Sequence, residues 1–390
     1  MNNRSGNILL IAFILLTSLA LLVGSLAYLV TTSIKKTGID LNYLKCFYYA
    51  EAGLAKAAFY LKTSPTYSGY GYRWRTPGLS EDIGDGNYRI RVRDGSSPFE
   101  VLITSTGNLG SDSRVLQATY QTYPPTCIYP VYSLKKVVMQ NGSRISGSIL
   151  VDDDVTVSNG AAVVGGVVMV TPGHSVGGGG NYNTDPPPSP LPAYPTLDTS
   201  YYDTQISIAQ GKPSQDRNFS GNTYLFGQTI YVNGSATLWG TLVGPGEIVA
   251  TNDLTIKQNA AVGSYVNLIS KKKIILQKNT DLSSHSVLFG REQVYINSDV
   301  DNDGYLSVLS PNEIYMSSNT FLNGIMHGGS INFENNAMFY GNVMAGNKSS
   351  QNILKNGARI YYNSNRLPAV PPPGLTPAGY QIPGSWKELK

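Results

Sequence analysis

Charged residues make up only 14% of this 390-residue chain, and it has just three histidines and two cysteines. The shortage of charge, set against 41 glycines, 22 prolines and 27 tyrosines, argues for turn-rich β structure and against helical bundles. A formal charge of +4 is small for this length and makes no case for nucleic acid, whose footprint is a clustered basic patch. His174, His285 and His327 are scattered, without metal-ligand spacing. Cys46 and Cys127 suit either a bridge in an oxidising compartment or two unpaired thiols, because connectivity is not readable from sequence. At roughly 100–200 residues per domain, the length suggests a chain of several modules.

No proline occurs before Pro65, and residues 8–30 carry no charge and are rich in Leu, Ile, Ala and Val. As a helix that run spans roughly 35 Å, enough to cross a hydrocarbon core. It exceeds the apolar stretch of a cleavable secretory signal, and no A-x-A-like site follows it. Arg4 before the run and Lys35 and Lys36 after it leave no clear positive-inside bias, so topology rests on the downstream chain, which reads as extracytoplasmic β structure. Beyond the span, Leu41, Leu44, Phe47, Tyr48, Leu54, Ala58 and Leu61 keep helical spacing. A helix over 7–62 would measure roughly 84 Å.

Three features of this region carry a resemblance: the short leader ending Arg4-Ser5-Gly6, the apolar run, and Ala50-Glu51-Ala52-Gly53-Leu54. Together they resemble the amino-terminal region of PilX-type minor pilins of type IV pili. The resemblance implies cleavage between Gly6 and Asn7 by a prepilin peptidase, and packing of the helix beside other pilins. Asn7 would be the first mature residue, where major pilins carry Phe. Ile11 would be the fifth, where they carry a Glu that pairs with a neighbour's terminal amine. A buried carboxylate without its partner is costly. Its absence here, as in the tip pseudopilins of type II secretion, implies a tip or initiating position. A plain signal-anchor helix is the alternative.

Residues 63–81 read as loop. Alternating runs at 87–93, 99–106 and 114–122 then predict an antiparallel meander, with turns at Asp94-Gly95 and Gly107-Asn108. Ile103-Thr104-Ser105-Thr106-Gly107 resembles the matching strand of PilX-type proteins. Pro124-Pro125 ends the unit.

An internal repeat follows. Apolar positions recur at a spacing of 18 in Val137/Val155, Ile145/Val163, Ile149/Val167 and Val151/Met169. They recur at 20 in Leu254/Ile274/Val294/Ile314, Ile256/Leu276/Ile296/Met316 and Ile248/Leu268/Leu288/Val308. Short β runs at a fixed period near 20 predict a parallel β-helix, whose turns stack about 4.8 Å apart and bury apolar faces only against one another. The spacing suggests roughly two turns in a first lobe and six to seven in a second. Between the lobes, Gly177–Gly180 and the Pro-rich stretch from Asp185 to Pro192 read as linker or strap, and Trp386 in the Pro-rich tail as a docking or capping residue. The large solenoid-bearing minor pilins of thermophile DNA-uptake pili resemble this layout, although in them the solenoid is inserted within the pilin sheet, whereas here it follows the meander.

Among candidate sites, Asp299, Asp301 and Asp303 alternate before Gly304, as oxygen ligands do in the first half of a calcium loop. Position twelve of that loop is Ser310 and not Glu, so an Asx-rich turn is the competing reading. Asp152-Asp153-Asp154 suggests the acidic pair of a β-helical glycosidase or lyase, against a solvated corner. Ser133 and Lys136 match S-x-x-K, a pattern too common to carry weight. Lys271, Lys272 and Lys273, with Arg291 one turn on, form a basic edge able to contact DNA, against a solvated corner.

The expected fold is α+β: a long N-terminal membrane-spanning α-helix with a small antiparallel pilin-like sheet, followed by a parallel β-helix. The boundaries expected are leader 1–6, helix 7–62, meander 63–123, first solenoid segment 124–180, Pro-rich linker 181–218, second solenoid segment 219–365 and Pro-rich tail 366–390. The expected function is a non-enzymatic minor pilin-like subunit, near a fibre tip, with a solenoid head for adhesion or ligand binding. A DNA-uptake tip protein and a membrane-anchored polysaccharide-active enzyme are the alternatives. Partners implied are the membrane, other pilins and their inner-membrane assembly platform, the prepilin peptidase, and extracellular DNA or a surface ligand. The location implied is the inner membrane before assembly and the extracellular pilus after it. No cofactor other than calcium is suggested.

Overall fold

The computed structural model describes residues 4–63, 79–94, 100–121, 125–283, 285–302, 304–346, 351–362, 372–375, 380–381 and 385–389. Helix α1 (Arg4–Thr63) is unbroken over 60 residues, about 90 Å at the standard rise. It is long and apolar enough to cross a membrane, and its apolar side chains from Phe13 to Ile34 are exposed. Its second half lies on an antiparallel meander of β1 (Leu79–Ile83), β2 (Gly86–Asp94), β3 (Glu100–Leu109) and β4 (Asp112–Gln121). Ala50, Leu54 and Ala57 of the helix and Ile90, Val92, Val101, Ile103, Leu116 and Ala118 of the strands form the shared core. β1 begins inside the segment read from sequence as loop, because its alternation involves only Leu79, Glu81 and Ile83.

The rest of the chain is a three-faced parallel β-solenoid of about 11 turns. The sequence columns are register neighbours: Leu254–Ile274–Val294–Ile314 and Ile248–Leu268–Leu288–Val308 pair turn upon turn. Val137 pairs with Val155 and Ile145 with Val163, as their spacing predicts. Two pairs differ by one residue: Ile149 meets Val168 and Val151 meets Val170. The corner at Gly165-Gly166 holds one residue more than 18-spacing allows, and Gly165 turns it at φ +68°.

The two expected lobes are one stack in permuted order. The last turn of the second segment, with Val343 and Ile353, pairs with the first turn of the first segment at Val131 and Val138. The chain joins the stack part-way along, winds three turns to one end through residues 131–184, and then returns along its outside. It resumes at the far end at Arg217 and winds back to meet its starting point at Tyr361. The span expected as linker is therefore a strap. It contains a helix, Ser200–Gln210, whose Tyr202, Ile206 and Ala209 cover Val249, Ile269, Phe289 and Leu309.

These covered residues belong to an outward column on the first face. It runs Val249–Ile269–Phe289–Leu309–His327–Met344–Tyr132–Leu150–Met169 in register. Strands buried on both sides read as continuous apolar runs. Val287-Leu288-Phe289 does so on this face, whereas Val294-Tyr295-Ile296 on the second face alternates. Each large apolar side chain taken from water there stabilises by about 1.5–3 kcal/mol.

The tail also departs from expectation. Tyr380–Gln381 and Lys387–Leu389 pair antiparallel with β4, opposite Gln121–Tyr120 and Gln117–Val115. Arg114 and Glu388 form an ion pair at 2.7 Å. Trp386 packs edge-on against Phe47 of α1, ring centroids 5.9 Å apart, and not on an end of the stack. The solenoid is thus inserted within the sheet. The permuted order makes this possible, since a stack whose chain enters and leaves part-way along presents both ends beside one strand.

Candidate functional site

The two motifs that carry the family resemblance meet. Gly53 lies against β3 so closely that a Cβ there would sit 2.1 Å from Ser105 Oγ and 3.0 Å from Tyr88. Gly107 faces α1, where a Cβ would stand 2.0 Å from the Cys46 carbonyl and 2.5 Å from the Ala50 nitrogen. Glycine at both places sets how near the helix comes to the sheet. At the end of this junction Lys45 Nζ lies 2.7 Å from Asp85, and the Tyr49 hydroxyl donates to the same carboxylate. Those two hydrogen bonds push the Asp85 carboxyl down to about 2. The other side of the helix exposes Leu41, Leu44, Tyr48 and Phe59, continuing the apolar surface of the span. Gly6 and Asn7 lie in the first turns of α1.

Cys46 and Cys127 do not form the bridge that was one of the two sequence readings; both are free thiols. Cys46 is buried between helix and sheet with Sγ 3.4 Å from the Asp112 carbonyl. Cys127 is enclosed by Ile325, Met344 and Leu375 on the solenoid, and burial pushes its thiol pKa up. The insertion puts the two sulfurs in separate cores.

Of the calcium candidates, Asp299 and Asp301 are described and Asp303 lies outside the described residues. Asp299 has φ +56°, matching Asn259, Asn279 and Asn319 at the same corner of other turns, and lies 3.2 Å from Lys278 Nζ. It thus holds the left-handed turn position that short polar side chains tolerate. Asp301 follows in a strand beside Asp281, one turn away, while Val300 and Asn302 point inward. That second carboxylate was findable from the 20-residue period.

The basic edge forms on one corner, with Lys271 and Arg291 on consecutive turns. It is interleaved with acid: Arg291 pairs with Asp203 of the strap, Asp253 accepts from the Lys273 backbone, and Gln293 bonds Glu313. Asp153 and Asp154 also occupy a corner, and the fold brings His174 above them. Its Nδ1 lies 3.7 and 3.8 Å from their Oδ1 atoms, near enough together for a metal ion. Ser175 donates to Asp154 from backbone and hydroxyl, which holds that carboxyl below its usual range. Val155 pairs with Val176 here, so a turn of 21 residues relates Asp153 to His174, which the sequence spacing of 18 did not reveal. Ser133 Oγ donates to the Lys135 carbonyl and accepts from Asn352 Nδ2, so its hydroxyl is engaged in a corner of the stack.

The other two histidines have structural surroundings. His285 stacks on Tyr265, centroids 4.9 Å apart. His327 is buried under the strap with Nε2 2.7 Å from the Pro195 carbonyl, and burial lowers its pKa. Nearby, Tyr132 donates to the Pro192 carbonyl at 2.8 Å. Glu247 is also buried, and its carboxyl oxygens accept from the Tyr201 hydroxyl at 2.6 Å, Asn267 Nδ2 at 2.7 Å and Thr229 Oγ1 at 3.1 Å.

No protein-family model matches this chain, and no curated protein matches it. Among solved structures it is similar to the crystal structure of the competence-associated pilin ComZ from Thermus thermophilus. The identity is 14%, covering 89% of this chain and 97% of that one, with a TM-score of 0.25.

Proposed function

We propose that this chain is a non-enzymatic, PilX-type minor pilin subunit of a type IV pilus or related pseudopilus. In this reading the helix is held in the inner membrane by the assembly platform and cut after Gly6 by a prepilin peptidase. It then packs beside other pilins near a fibre tip, and the solenoid is the outward head that engages a ligand. The observation that carries the reading is the helix–sheet junction, where Gly53 abuts Ser105 and Gly107 abuts Cys46 and Ala50. The exposed Leu41, Leu44, Tyr48 and Phe59 support lateral packing. Ile11 supports the tip position, since a terminal subunit has no neighbour whose terminal amine would pair with a carboxylate at that place. The mixed charge around Lys271 and Arg291 gives a nucleic-acid head no added support.

Mass spectrometry of the protein recovered from sheared fibres tests the proposal. A mature amino terminus at Asn7 is expected. An uncut chain that is absent from fibres overturns it.

A further inference from the structure

The far end of the solenoid carries a ring of exposed aromatic side chains. Outside α1, the most exposed large apolar side chains among the described residues are Phe226 (77%), Trp239 (59%) and Tyr224 (53%). All three belong to the two turns at this end. Tyr224 and Phe226 stack on each other at the corner between the third and first faces, centroids 5.6 Å apart. Trp239 sits at the corner between the second and third faces, its backbone N–H bonded to the Phe219 carbonyl. The remaining corner holds an open groove lined by Lys212, Gln215, Asp216, Arg217, Tyr231 and Asn233, among others. Strands here are three or four residues long, so neighbouring corners lie roughly 10–15 Å apart.

We propose that this rim is a glycan-binding surface, with the aromatic rings as platforms for successive sugars and the groove as the hydrogen-bonding subsite. The stacked Tyr224–Phe226 pair is an exposed aromatic patch of the kind that marks a binding surface. The flat C–H face of a pyranose matches an aromatic ring, and its hydroxyls match the amides of Gln215 and Asn233. Three corners at that separation suit an extended polymer. The inward side chains of the last turn, Phe219 and Leu225, are both buried, so this end does not offer its core to a second copy stacked head to tail. Arg217, Lys257 and Lys212 each lie over an aromatic ring, at 5.0, 5.1 and 5.8 Å from the centroids of Phe219, Trp239 and Tyr231, and Asp216 lines the groove with Lys212 and Arg217. Rings beside cations also suit the bases of a single strand, so DNA is the competing outcome of the test.

The inference rests on the reading of the solenoid as a ligand-binding head. Detergent-solubilised full-length protein is titrated by calorimetry with polygalacturonate, a neutral β-glucan and single-stranded DNA. The wild type is compared with the Phe226→Ala/Trp239→Ala double variant and with Leu191→Ala, an exposed change on the strap. Binding of either glycan, weakened at least tenfold in the double variant and unchanged in Leu191→Ala, is expected, with thermal midpoints alike. No glycan binding, equal binding by all three proteins, or binding of DNA alone overturns the inference. Recovery of the double variant from sheared fibres is scored separately: glycan failure with normal recovery sinks this inference and leaves the pilus reading standing.

Discussion

Tyr202 of the strap helix lies flat on Phe289 of the solenoid, ring centroids 3.8 Å apart and planes within 1°. Its hydroxyl donates to the Pro373 carbonyl at 2.9 Å, so one side chain ties strap, stack and tail together. Tyr202→Ala is expected to cost about 3–5 kcal/mol, as large aromatic truncations in cores do. Tyr202→Phe keeps the stacking and should cost only about 0.5–1.5 kcal/mol. Denaturant unfolding of the solubilised chain measures both, and equal effects would refute the assigned role of the ring.

The helix–sheet junction predicts an asymmetry between two glycines. Gly107→Ala meets helix backbone, which has nowhere to go, and should cost about 1–3 kcal/mol. Gly53→Ala meets first the Ser105 hydroxyl, so adding Ser105→Ala should recover part of its cost. A double-mutant cycle showing no coupling between positions 53 and 105 would contradict the packing described.

His327 gives the strap a pH dependence with a definite sign. Its native pKa lies below the ordinary 6.5 because burial disfavours the charged ring. The unfolded chain therefore takes up a proton that the native state refuses. Stability is full above pH 6.5 and falls as pH drops, by up to about 1.4 kcal/mol per pH unit, until the native pKa is reached. His327→Gln should flatten that slope between pH 6.5 and 5, read from thermal midpoints. An unchanged slope would assign the acid sensitivity to other groups.

Both cysteines should be silent to iodoacetamide in the native protein and fully alkylated after unfolding without reductant, since each is a buried thiol. Unfolded protein that alkylates only after reduction would show a disulfide.

Residues 125–375 expressed alone should fold, because the stack closes on itself and its two chain ends adjoin the same strand of the sheet. Circular dichroism with a β spectrum and one cooperative melt is the expected result. A random-coil spectrum would show that the stack depends on the sheet.

Much of this architecture was legible from spacing. Leu254, Ile274, Val294 and Ile314 announce their pairing because a solenoid repeats the same environment every turn, so like residues recur at the turn length. The reading slipped at 149–170, where a two-glycine corner changed that length by one. The strap was harder to see. Val249, Ile269, Phe289 and Leu309 also recur at 20, yet an outward apolar column says only that something covers it, and the cover is 40–110 residues away in sequence. The His174 contact with Asp153 and Asp154 needed the true turn length, and the aromatic rim needed to be known as an end. In the second segment the period itself marks no end.

What the sequence by itself determined is local and periodic: an apolar helix long enough to cross a membrane, alternating strands that need a helix against them, and rungs that need other rungs. The order of those rungs along the stack, the path of the strap and the return of Lys387–Leu389 to β4 were decided by tertiary structure. Every turn offers nearly the same edge to its neighbour, so periodicity cannot say which turn follows which. That choice belongs to the few non-repeating contacts, such as Tyr202 on Phe289 and Val343 beside Val131, which exist only once the whole chain has closed.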